Sequence, residues 1–163
     1  MSLTMYQASV APLLRGLGVL SSLLQKAEQH PDAAKLVDAR LASDMMTLAG
    51  QVQRASDTAK GCPARLAGVE APGFPDTEKS FADLHARIAM TVDFLSKFNP
   101  ELINGSERKL IAFKAGASTF NFTGETYLFT FVLPNFYFHI TTAYAILRHH
   151  GVQLGKLDYL GEL

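Results

Sequence analysis

Residues 41–66, LASDMMTLAGQVQRASDTAKGCPARL, carry the reading on which the fold turns. Leu41, Met45, Leu48, Val52, Ala55, Ala59, Cys62 and Leu66 step by alternating fours and threes, which draws one apolar seam along a helix of about 3.6 residues per turn. So narrow a seam lines an antiparallel helical bundle, where facing helices share one core. Ser43 is the expected N-cap, with Asp44 at the positive end of the helix dipole. Gly61 and Pro63 are expected to kink or loosen the last turns.

The same period recurs on both sides. Upstream, from about Leu3 to Gln29, the apolar positions Val10, Leu13, Leu14, Leu17, Leu20 and Leu24 fall on one helical face, and His30-Pro31-Asp32 ends it ahead of a short turn. Downstream, the Pro- and Gly-rich stretch from Gly68 to Pro75 predicts a loop, with Asp76 and Thr77 as caps for a third helix. That helix carries Phe81, Leu84, Ile88, Val92 and Leu95, and stops at Asn99-Pro100 because a residue before proline disfavours helical backbone. The period then changes: Arg108–Lys114 and Ser118–Thr123 are β-prone runs either side of Ala115-Gly116-Ala117, a small hairpin that must pack on helices to persist. A last long helix runs from about Glu125 to His150, bent at Pro134 and stopped by Gly151, and the apolar Val152, Leu154, Leu157 and Leu160 make the tail to Leu163 an ordered strap. The expected architecture is a single all-α domain over residues 1–163, an antiparallel four-helix bundle with a β-hairpin before its last helix.

Composition narrows the function. With 15 Lys+Arg against 15 Asp+Glu and 18% charged residues, no excess of cations marks a nucleic-acid groove or an anionic-membrane patch. The lone Cys62 rules out an intramolecular disulfide and fits a reducing cytoplasm. The first residues lack a basic segment ahead of an apolar one, so no signal peptide is expected. Tyr127 to Leu147 holds no Asp, Glu, Lys or Arg and is long enough to span a bilayer. Pro134, Asn135, His139, Thr141 and Thr142 interrupt it, and three amphipathic helices need a central partner, so a buried helix is the better reading.

Candidate chemistry lies where polar residues occupy positions that packing would fill with hydrocarbon. Asn135, His139, Thr142 and His149 share roughly one side of the last helix, and Asp44 and Gln51 flank the seam of the second. An unpaired polar group costs about 1–3 kcal/mol on burial, so the two stripes are expected to meet in a polar pocket that binds a small molecule. His139 is the acid/base candidate, its ordinary pKa lying near ~6.5. Tyr144 and Arg148 are further ligand-binding candidates on the same helix. Plainer roles stand beside these: His139 as a hydrogen-bonded core residue, Asn135 satisfying carbonyls freed by Pro134, Tyr144 and Arg148 as an edge pair. A metal site would draw on His139, Asn135 and His85, but no two histidines stand at the i, i+4 spacing that converges on one ion. There is no phosphate-binding glycine loop and no G-x-S-x-G elbow, and Cys62 sits at a core position.

Several segments resemble a bacterial domain-of-unknown-function family grouped with the DinB/YfiT-like metalloenzyme superfamily. They are Arg40–Met45, Ala67–Pro72, Leu133-Pro134-Asn135-Phe136-Tyr137-Phe138-His139 through His149, and Gly155–Gly161. The resemblance spans essentially the whole chain. It implies an antiparallel four-helix bundle, often a homodimer, with a divalent metal held by one histidine of the second helix and an H-x3-H pair on the last. This chain departs from that pattern: its second helix offers Asp44, Gln51 and Gln53, and Asn135, Ala145 and Ile146 stand four residues before His139, His149 and His150. Two other readings follow. One is a divergent metal-dependent enzyme of transferase or hydrolase type with an incomplete histidine site. The other is a non-catalytic dimeric interaction or stress-response module that uses Phe129, Phe131, Phe136 and Phe138.

Overall fold

Thr4 accepts a hydrogen bond from the Gln7 N–H, and the Gln7 side chain accepts one from the Thr4 N–H. This capping box starts α1 (Met5–Ala27). The computed structural model describes residues 3–161. Val10, Leu13, Leu17, Leu20 and Leu24 of the α1 face are fully buried and Leu14 is half-buried, as their spacing predicts. The stretch at 127–147 does not qualify to cross a membrane, and among the described residues α1 is the one helix long and apolar enough to do so. Its leucine face is buried against other helices, which accounts for the hydropathy. After His30-Pro31 the chain makes one short helix, α2 (Ala33–Leu36).

The second long helix, α3 (Leu48–Ala67), begins later than the seam predicts. Neither Ser43 nor Asp44 caps it. Thr47 is the N-cap and accepts from the Gly50 N–H at 3.1 Å, while the Leu48 and Ala49 N–H groups donate backward to Ala39 O at 2.8 Å and Val37 O at 3.1 Å. The doubled-back segment 37–47 thereby satisfies donors that a helix start leaves open, and Arg40 closes it on the Met45 carbonyl. Leu41, expected on the seam, is 41% exposed. From Leu48 to Leu66 the seam is buried as read, and the helix continues through Gly61 and Pro63 to Ala67, where Gly68 ends it at φ 80°.

The caps predicted for the next helix are also displaced. α4 (Phe81–Leu95) is capped by Ser80 and Asp83, not by Asp76 or Thr77. Asn99-Pro100 does not end α4 but opens a separate turn, α5 (Pro100–Ile103), with proline at the first helical position, where its missing N–H costs nothing. The hairpin pairs β1 (Leu110–Ala115) with β2 (Ser118–Thr123), Ile111 opposite Phe122 and Phe113 opposite Phe120, around Gly116 at φ 58°.

The short α6 (Gly124–Thr126) leads into a π-helical turn (Tyr127–Val132) and then α7 (Leu133–His149). Pro134 has no N–H to give to the carbonyl four residues back and its ring crowds that carbonyl, so the turn ahead of it widens. The Leu133 N–H reaches back five residues to Leu128 O. Pro134 thus widens the preceding turn, a change the expected bend did not specify. Gly151, at φ 89°, lies just past the end of α7.

The four long helices pack α3 on α4 and α7, and α1 on the same two, around one apolar cluster. Gly16 lets α1 approach α7: a Cβ there would press 2.5 Å from the Phe136 ring. The tail folds over α1 as α8 (Lys156–Leu160), held by Lys26–Asp158 at 2.5 Å and by Arg15 donating to Leu160 O. Val152 and Leu154 are buried, whereas Leu157 is 73% exposed and anchors nothing. Residues 162 and 163 of the expected strap lie outside the described residues.

Candidate functional site

On α7, His139 is 8% exposed and its Nδ1 lies 2.7 Å from Gln51 Oε1 on α3. The Gln51 amide donates through Nε2 to Met46 O at 3.3 Å, so its Oε1 is an acceptor and His139 Nδ1 carries the proton. His139 Nε2 therefore keeps its lone pair. Burial first, and the Arg54 charge second, push the imidazole pKa down to about 4, so it is neutral at pH 7. One turn earlier, Asn135 Nδ2 donates to Thr58 Oγ1 at 2.7 Å, and Thr58 donates to Arg54 O at 2.8 Å.

These groups edge a cleft of about 290 Å³ between α3, the hairpin and the π turn. Its other wall is aromatic. Phe113 of β1 lies 4.5 Å from Phe131, centroid to centroid, and Tyr127 stacks on Phe131 at 5.8 Å with an 18° tilt. Arg65 of α3 donates to Tyr127 OH at 3.0 Å, with its guanidinium carbon 5.0 Å from the Phe113 centroid. Burial raises the Tyr127 phenol to about 12 against the opposing pull of Arg65, so Tyr127 stays neutral and accepts.

The structure joins three of the residues singled out in the sequence, Gln51, Asn135 and His139. It keeps the others away from the cleft. Asp44 is exposed in the 41–47 turn, because α3 starts beyond it. Thr142 is buried but bonds back to Phe138 O at 2.7 Å along its own helix. Tyr144 packs on Tyr159 at 5.9 Å, and Arg148 and His149 are exposed in the last turn of α7, where the positive charge of Arg148 suits the helix C-terminus. His85 faces α1, 3.3 Å from Ser21 Oγ and 3.7 Å from Glu28 Oε1. Arg65, Thr58, Tyr127, Phe113 and Phe131 were missed, since the hairpin and π turn bring them together across long stretches of chain. One signal was present: Gly61 stands four residues before Arg65 in a helix interior, where glycine is unfavourable.

On its other side α3 meets α4 through charges. Arg87 is fully buried and bonds Glu78 at 2.7 Å, Asp57 at 2.9 Å and Pro75 O at 3.2 Å, with Asp76 at 3.1 Å. Lys60 and Arg54 also bind Asp57, at 2.6 Å and 3.1 Å, and Arg54 binds Asp76. Burial would raise the Glu78 carboxyl, but bonds from Arg87 and Gln53 outweigh it and hold the group below its ordinary value. Cys62 is buried, and burial pushes its thiol pKa far up, as befits an inert core residue.

The chain belongs to the domain-of-unknown-function family DUF1993, whose model matches residues 5–160. Among solved structures it resembles a DinB family member protein from Shewanella denitrificans, at 37% identity and TM-score 0.86, over 97% of this chain and 92% of that one. No curated protein matches it. The metal that the DinB likeness implies does not fit these residues. Gln51 and Asn135 present amides where imidazoles would serve, and both amides are engaged with protein partners. No group of three or more His, Cys, Asp or Glu among the described residues could hold an ion.

Proposed function

We propose that this protein is an antiparallel four-helix bundle of the DinB type that binds a small molecule in the cleft beside His139. The observation that carries the reading is the Met46–Gln51–His139 chain, which fixes the imidazole tautomer and leaves Nε2 as an acceptor at a cleft with an aromatic wall. An ordered acceptor at the cleft beside π faces suits recognition of a ligand N–H or O–H. With a pKa of about 4, His139 serves as a hydrogen-bond acceptor at neutral pH and is a poor general acid or base there. Titration of isotope-labelled protein with small polar and aromatic fragments tests this. Binders should shift the amide and side-chain signals of Thr58, Asn135 and His139; shifts confined to the groove by His30 and Gln153 refute it. The lone, buried Cys62 supports a cytoplasmic setting.

A second reading, self-association, rests on Phe129 and Phe138, which are 47% and 55% exposed. Phe136 does not contribute, being fully buried, and Phe131 is turned onto Phe113. A monomer at micromolar concentration in light scattering removes that reading.

A further inference from the structure

We infer that the ligand of the cleft is a small carboxylate, its anionic group received by Arg65 and its body laid against Phe113 and Phe131. This inference rests on the reading of the cleft as a ligand site and adds the chemical class. The charges around α3 support it. Arg54, Lys60 and Arg87 face Asp57, Asp76 and Glu78, three cations against three carboxylates, each within ion-pair distance of at least one of the opposite sign. Arg65 stands outside that balance. It makes no ion pair among the described residues and uses one of its five N–H donors on the neutral Tyr127 hydroxyl. The nearby Lys109 is engaged with Leu66 O at 3.0 Å. The cleft wall also holds Arg54 and Asp57, which pair with each other at 3.1 Å, so Arg65 is the uncompensated charge of that wall among the described residues, and a carboxylate pairs with guanidinium through strong, charge-assisted bonds.

The seat of Arg65 is built by the backbone. Gly61 lies one turn before it, and the three atoms nearest a Cβ at that position all belong to the Arg65 guanidinium, with which it would collide. Glycine in a helix interior is unfavourable relative to alanine, so its presence here is explained by the position it gives Arg65. The aromatic rings beneath the guanidinium supply an apolar platform, and about 290 Å³ is room for roughly ten waters or one substituted ring.

Benzoate and its neutral counterpart benzamide, titrated separately and followed by NMR, test the assignment. Benzoate should bind at the cleft at least about tenfold more tightly than benzamide, with shifts at Asn135 and His139. Arg65→Gln should abolish that preference, and Arg65→Lys should restore part of it. Gly61→Ala should weaken benzoate about tenfold by displacing the guanidinium, while the melting temperature holds or rises. If benzamide binds at the cleft as well as benzoate, and Arg65→Gln and Gly61→Ala change neither, the carboxylate assignment is wrong while the cleft reading stands. If neither probe shifts cleft signals up to its solubility limit, both fall.

Discussion

The two sides of α3 treat polar groups in opposite ways. Toward α4, each charge is met: Arg87 is wrapped by three carboxylates, and even the buried hydroxyls of Ser56 and Thr91 bond each other at 2.7 Å. Toward α7 and the hairpin, His139 keeps an unused lone pair and Arg65 a charge without a counter-ion among the described residues. Among the described residues no fully buried side-chain atom without a partner lines the cleft, so the open groups on this side go unpaired where they are not sealed from solvent, without the full cost of burial. The matched side ties the 68–80 loop to the helices; the unmatched side is where the proposed ligand would complete the pairing.

Breaking the matched side should have the largest effect. Arg87→Met leaves Glu78, Asp57 and Asp76 short of their central cation, and a loss of about 3–5 kcal/mol in urea unfolding is expected. Wild-type stability in that assay would contradict the role given to the cluster.

Acid separates the two sides by pH. An unfolded histidine takes up its proton near pH 6.5, whereas His139 in the fold resists until about pH 4. Between those values the unfolded chain binds more protons, so stability decreases as pH is lowered, by about 2–3 kcal/mol across the window. Glu78 has its folded pKa lowered from 4.5, so its contribution is present above that value and is lost only as pH falls through the lower, folded one. Denaturant midpoints from pH 7 to 4 should drop in wild type, and His139→Gln should flatten that part of the curve while leaving the more acidic limb.

Gln51→Leu strips His139 Nδ1 of its acceptor and should cost about 1–3 kcal/mol, with loss of the single-tautomer 15N signature of His139. Smallest in stability is Arg65→Gln, which removes a charge without a counter-ion among the described residues. Its unfolding free energy should stay within about 1 kcal/mol of wild type, and a larger drop would make Arg65 a structural residue.

How much of this the sequence disclosed follows from the range of the interactions. The α1 face, the α3 seam from Leu48 to Leu66 and the presence of the hairpin are local patterns, and they were legible. The start of α3 was not, because its donors are satisfied by Val37 and Ala39, outside the helix. Asn135, His139 and Gln51 stood out as polar residues among hydrocarbon. Arg65 and Arg87 did not, since a cation on an amphipathic helix reads as solvated until the loop or hairpin that covers it is placed. Asp44 misled for the converse reason: helical spacing was extended over residues that are not helical.

The π turn at 127–132 works as a surplus residue in a rotary gear. Each residue of an ordinary helix advances the chain by about 100°. Deleting one residue there would let the ladder close in α form but swing everything before it, Tyr127 and the hairpin included, by about that angle relative to His139. Length between Thr126 and Leu133 therefore sets which face of Tyr127 and the hairpin meets His139. Insertions and deletions at that point, more than substitutions, would retune which rings face the imidazole.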